Sequence, residues 1–168
     1  ELSQEIKIYE KILSRADFSA HIAPHTIEIA SMFSVLSRLK ETQKCDILTK
    51  LKIYNGDDVI EKGRIKKVDI KDLREEAPNE GMTGISTRFI MKAIDSALSD
   101  SDKGVITPIS VMESLTRQVK EQIIDEEFKG RCLELIQKIV REEYLKILEN
   151  EIAKAFITAY EEQAQSLF

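Results

Sequence analysis

Gly81-Met82-Thr83-Gly84-Ile85-Ser86-Thr87-Arg88-Phe89-Ile90 runs a glycine-rich turn straight into a segment whose apolar positions recur every three or four residues: Phe89, Ile90, Ala93, Ile94, Ala97 and Leu98. The period is that of a helix. Ser86 stands where a side-chain oxygen can cap the first free N–H groups. The helix so begun carries Arg88 in its first turn, at an end that already bears partial positive charge and suits an anion. A guanidinium fork can grip a phosphate with two bonds, where lysine offers a point charge. Gly81 and Gly84 supply the turn, although a glycine-rich loop with a solvated arginine before an ordinary helix has the same look.

The helical period extends to both sides. Ile6, Tyr9, Ile12 and Leu13 form one stripe from about Ser3 to Arg15. Pro24 is expected as a first helical residue, with apolar residues from Ile27 to Leu39 covering most of the helix circumference, as in a central buried helix. A shorter helix is expected from Cys45 to Tyr54, stopped by Asn55-Gly56-Asp57. Residues 57–68 read either as one small β-hairpin using Val59, Ile65 and Val68 or as an irregular loop. Asp69 can cap a brief helix. Thr107-Pro108 is a strong helix start, with Val111, Met112, Leu115, Val119 and Ile123 inward.

From about Asp125 to Leu167 there is no proline, and Gly130 alone could break a helix. A single helix there would extend roughly 60 Å, longer than a compact domain of this size covers. Either it bends into a hairpin, or its far half meets another surface. Leu145, Leu148, Ile152 and Phe156 are the candidate partner-binding stripe, and a homo-oligomer is expected. The fold class is therefore all-α, with residues 1–124 as one helical region and 125–168 as a long C-terminal helical region.

Composition narrows the function classes. A net charge of −5 and a pI near 5.3 disfavour a nucleic-acid binder. The basic cluster Lys62, Arg64, Lys66, Lys67 and Lys71 is interrupted by Asp69 and lacks an aromatic platform. No apolar run suits a membrane span and no secretion signal is evident, so a cytoplasmic protein is expected. Cys45 and Cys132 read as reduced thiols. A chain opening on Glu1 is expected to be a piece of a longer protein.

The chemistry of a complete enzyme is missing. There is no Gly-x4-Gly-Lys-Ser/Thr phosphate cradle, no His-Arg-Asp or Asp-Phe-Gly, and no Gly-x-Ser-x-Gly elbow. His21 and His25 have metal-pair spacing but straddle a boundary at Pro24, and no metal site is expected. Asp57-Asp58, Glu75-Glu76 and Glu142-Glu143 are adjacent carboxylates that face different ways.

Several blocks together resemble the PrkA family of serine protein kinases, whose long chains begin with an AAA+ ATPase module. These are Ile22-Ala23-Pro24-His25-Thr26, Ala30 to Leu39, Lys50 to Gly56, Glu80 to Phe89, and Ala155 to Glu162. The resemblance implies the AAA+ lid and the start of the C-terminal region. ATP and magnesium would be bound in the full-length protein, on a P-loop core that is this segment's own partner, with a protein as substrate. It also implies that Arg88 matches the sensor 2 arginine of a Gly-x-Ser-Pro-Arg type motif, with Ser86 as its cap. Thr87 replaces the usual proline and leaves the helix entry less rigid. The alternative is a non-enzymatic helical adaptor or oligomerisation module.

Overall fold

A computed structural model describes residues 1–15, 20–61, 64–65 and 68–166. The element order is α1 (Leu2–Arg15), β1 (His21–Ile22), α2 (Thr26–Arg38), α3 (Ile47–Asn55), β2 (Ile60–Glu61), β3 (Arg64–Ile65) and α4 (Ile70–Glu76). It continues with α5 (Thr87–Ser99), β4 (Val105–Ile106), α6 (Pro108–Gln122), α7 (Glu126–Glu134), a π-helical stretch (Leu135–Val140) and α8 (Arg141–Ser166). The chain is mainly helical, as the apolar period requires.

Helix α2 is the hub. Every residue from Ile29 to Ser37 is buried, and α1, α3, α5, α6 and the π-helical stretch all pack on it. A helix apolar nearly all round has nowhere to go but the centre. Its entry differs from the expected one: Pro24 is not the first helical residue. His25, at φ 63°, precedes the helix, which begins at Thr26. The cause lies across the fold, where β1 pairs in parallel with β4 (His21 with Val105, Ile22 with Ile106) and the Ala23 N–H donates to the Ile106 carbonyl at 2.8 Å. That pairing holds 21–23 extended, so the chain must turn at Pro24 and His25.

Along α1 the buried stripe is Leu2, Glu5, Tyr9 and Leu13, while Ile12 lies at the exposed edge. Helix α3 stops at Gly56, which takes φ 84°. The small hairpin near 57–68 forms, with Ile60 opposite Ile65 and Glu61 opposite Arg64 in antiparallel register. Residues 62–63 and 66–67, including Lys62, Lys66 and Lys67, lie outside the described residues. Asp69 caps α4 by accepting from the Lys71 N–H. At α6, Thr107 and Ser110 form a reciprocal capping box with Pro108 just inside.

The C-terminal segment does not fold back. Helix α7, the π-helical stretch and α8 run on without interruption from Glu126 to Ser166, and Gly130 sits inside α7 without breaking it. The Arg141 N–H bonds to the Ile136 carbonyl five residues back, the wider turn of a π-helix. Cys132, Leu135, Ile136 and Val140 anchor this half in a core cluster that also includes Leu2, Phe33, Ile94 and Leu115, so one core spans residues 1–124 and the start of 125–168. Lys52 Nζ also meets Glu143 Oε1 at 2.5 Å. Beyond Leu148, every residue from Glu149 to Tyr160 is exposed.

Candidate functional site

The 81–85 turn is tied to the C-terminal end of α2. The Gly81 N–H donates to the Arg38 carbonyl at 3.2 Å, and the Ile85 N–H donates to Ser37 Oγ at 3.0 Å. The Ile85 carbonyl accepts from Arg38 Nε and Nη2 at 3.2 and 3.0 Å. Gly84 takes φ 132°, and a Cβ there would stand 2.6 Å from Arg38 Cγ and 2.9 Å from the Ser37 carbonyl oxygen. Glycine is required twice over, by conformation and by space. Gly81, at φ 86°, faces open space and needs glycine only for its backbone.

Arg38 is held in turn by α1. Its Nη1 and Nη2 reach Glu5 Oε2 and Oε1 at 3.0 and 2.9 Å, a two-pronged pair. Glu5 Oε1 also accepts from Tyr9 and Ser34 hydroxyls at 2.7 and 2.9 Å. Burial pushes the Glu5 carboxyl up, but hydrogen bonds from Tyr9, Arg38 and Ser34, with the Arg38 charge, together hold it below its ordinary value. Burial first, then donation to Glu5, raises the Tyr9 phenol well above its usual range, although the Ser34 bond opposes this. Tyr9 therefore stays a donor.

Immediately after this clamp, Ser86 Oγ accepts from the Phe89 N–H at 3.3 Å, the cap expected from the sequence. Arg88 follows, exposed on the first turn of α5, with no ion pair or hydrogen bond among the described residues. The inward face of α5, Ile90, Ala93, Ile94 and Ala97, is buried and fixes the direction of the outward one. Gly81, Gly84, Ser86 and Arg88 thus occupy one short segment at the start of α5.

The candidate stripe divides. Leu145 and Leu148 line an open groove of about 610 Å³ between α6 and the long helix, together with Ile109, Met112, Ile136 and Arg141. Ile152 and Phe156 lie beyond it on the open part of α8, 56% and 66% exposed. Among the described residues no group of three or more His, Cys, Asp or Glu side chains could hold a metal ion. His25 Nδ1 lies 2.7 Å from Glu28 Oε2, and His21 is exposed in β1. Cys45 and Cys132 are buried, and burial pushes Cys132 up to about 11. No helix among the described residues is long and apolar enough to cross a membrane.

The clamp residues escaped the sequence reading. Glu5 sits in phase with Leu2, Tyr9 and Leu13, so the one available signal was a carboxylate on an otherwise apolar stripe. Arg38 ends a buried helix and carries no motif. A second buried pair was equally silent: Lys50 Nζ meets Glu80 Oε1 at 2.5 Å, and Tyr54 donates to Glu80 Oε2 at 2.8 Å.

Residues 1–46 match the family description "PrkA AAA domain", and residues 48–168 match "PrkA serine protein kinase C-terminal domain". Over 170 residues the chain is 37% identical to the ATP-dependent protease PrkA of Bacillus subtilis and 32% identical to the serine/threonine kinase YeaG of Escherichia coli. Each alignment covers 99% of this chain and 26% of the relative, so the chain spans about a quarter of the length of these curated relatives. No solved structure matches it significantly.

Proposed function

The chain belongs to the PrkA family, and from that premise we propose that it is the lid and adjoining C-terminal part of an ATP-using serine protein kinase, with Arg88 sensing the terminal phosphates. The observation that carries this reading is Arg88 itself: a guanidinium with no ion pair or hydrogen bond among the described residues, on a capped helix whose entry is tied to α2 and, through Arg38, to α1. An exposed arginine at a helix start offers its fork and the partial charge of the first turn to the same anion. Arg88 falls in the part matched as C-terminal domain, so its place in a lid is supported by packing: α5 and α6 rest on α2, and β4 pairs with β1.

A P-loop core elsewhere in the full-length protein would supply the phosphate cradle and the magnesium site, for which this chain has no motif. Bound ATP supplies the phosphoryl group. Arg88 would stabilise the charge that develops on it, and closing of the lid would bring the arginine into place. The names of the two relatives divide between an ATP-dependent protease and a serine/threonine kinase. Charge stabilisation at the terminal phosphate serves either output.

Helix α8 would pass the motion to a second copy. Leu145, Leu148, Ile152 and Phe156 share one face, which starts in the groove and continues onto the open helix. A two-fold axis near Ile152 would set the groove half of each chain against the open half of the other. The same exposed stripe favours the alternative of an oligomerisation module without nucleotide chemistry.

The test is turnover by the full-length protein. Arg88→Ala is expected to slow phosphoryl chemistry roughly 10- to 1000-fold, the range for removing one charge-stabilising donor. Arg88→Lys should restore little, since the fork is lost. Wild-type turnover in both variants would leave the oligomerisation module standing.

A further inference from the structure

Three helices meet at one guanidinium. Arg38, near the end of α2, binds Glu5 of α1 through Nη1 and Nη2 and the Ile85 carbonyl through Nε and Nη2, while its backbone carbonyl accepts from Gly81. Ile85 is the residue before the α5 cap, and Arg88 is three residues further on. The Ile85 N–H is held by Ser37, so both polar backbone groups of this residue are fixed by adjacent α2 side chains. We infer that Arg38 is the positioning residue for Arg88: it sets where α5 begins and hence where the sensor guanidinium emerges, with Glu5 fixing Arg38 and Gly84 giving it room.

This inference rests on the reading of Arg88 as the phosphate-sensing residue. Its physical content is geometric. A helix with a packed inward face and a pinned entry cannot slide or rotate without breaking these bonds. Arg38 is suited to the task because its planar fork joins two partners at once. A lysine could keep the charge near Glu5 but could not hold both Oε atoms and the Ile85 carbonyl. Gly84 limits the fit from the other side, since a methyl group there would press on Arg38 Cγ, in the middle of the side chain rather than at its mobile tip.

A double-mutant cycle in the full-length protein tests the inference, with kcat and KM for ATP measured in wild type, R88A, R38K and the double variant, and with folding followed by thermal melting. Misplacement of a charge-stabilising group by about an ångström costs on the order of 10- to 100-fold in rate. R38K should therefore lower kcat by about that factor with little change in KM, and should add almost nothing in the R88A background. G84A, which presses on Arg38 without changing its charge, should reproduce the same non-additive pattern. Equal losses from R38K with and without Arg88, or an unchanged kcat in R38K, would overturn the positioning role while leaving the Arg88 reading intact. An R88A protein with wild-type turnover would remove both.

Discussion

The entry of α5 and the outer half of α8 are opposites in how they are held. At the first, Arg38, Glu5, Tyr9, Ser34 and Ile85 have interlocking partners, and no space remains for one methyl group on Gly84. At the second, twelve successive residues from Glu149 to Tyr160 are exposed, and their apolar members face outward. The first region fixes the start of α5, from which Arg88 emerges. The second is a helix that extends past its own core, and what stabilises it is the continuity of its backbone bonds with the anchored half.

The widest expected separation is in truncation of a phenylalanine. Phe33 is fully buried in α2 and Phe156 is 66% exposed on α8. Phe33→Ala should cost about 3–5 kcal/mol through lost burial and the cavity left behind. Phe156→Ala should stay within about 0.5 kcal/mol in a dilute sample. Chemical denaturation of the two variants measures both, and similar losses would mean that the outer helix has a partner within its own chain.

The polar clamp should reveal itself through pH. Folding lowers the Glu5 carboxyl below its ordinary value of 4.5, so its contribution is complete above about pH 4.5 and is lost as pH falls through the folded value. Glu5→Gln removes that dependence and leaves Arg38 without its counter-charge. The expected cost at neutral pH is about 3 kcal/mol, near the low end for a broken buried pair because Arg38 keeps 24% of its side chain in water. Denaturation curves at pH 7 and pH 3 check it: the difference between wild type and variant should shrink in acid. A difference that grows there would contradict the assignment.

Smallest in its effect on folding is the change at the stripe. Replacing Leu148 and Ile152 together by glutamate should leave the helices starting at Thr26 and Pro108 intact, yet shift the chain from self-associated to monomeric in light scattering. A wild-type chain that is monomeric at high concentration would rule out the two-fold pairing. The stripe would then serve a different protein or the rest of the full-length molecule.

The helices were legible because their signals are local. Ser86, Asp69 and Thr107 cap as their positions indicate, Gly56 stops α3, and the apolar period marks α2 and α5. The β1–β4 pair was not, since two strands of two residues each, more than eighty positions apart, carry no period to detect. That unseen pairing is also why Pro24 was misplaced as a helix start. The clamp was hidden for a related reason. Glu5 and Arg38 are unremarkable one at a time, and only folding brings α1, α2 and α5 together. For the long helix, sequence posed the choice between a hairpin and a far half that meets another surface, and the structure takes the unbroken run through a π-helical stretch.

Whether Arg88 reads the terminal phosphate is tested most directly by the relative affinity of the full-length protein for ATP and ADP. Calorimetric titration of wild type and Arg88→Ala with each nucleotide should show ADP binding nearly unchanged, because ADP lacks the terminal phosphate that Arg88 would contact. ATP binding should weaken towards the ADP value as the charge-assisted contact to the terminal phosphate disappears. Equal weakening for both nucleotides, or none for either, would contradict the account.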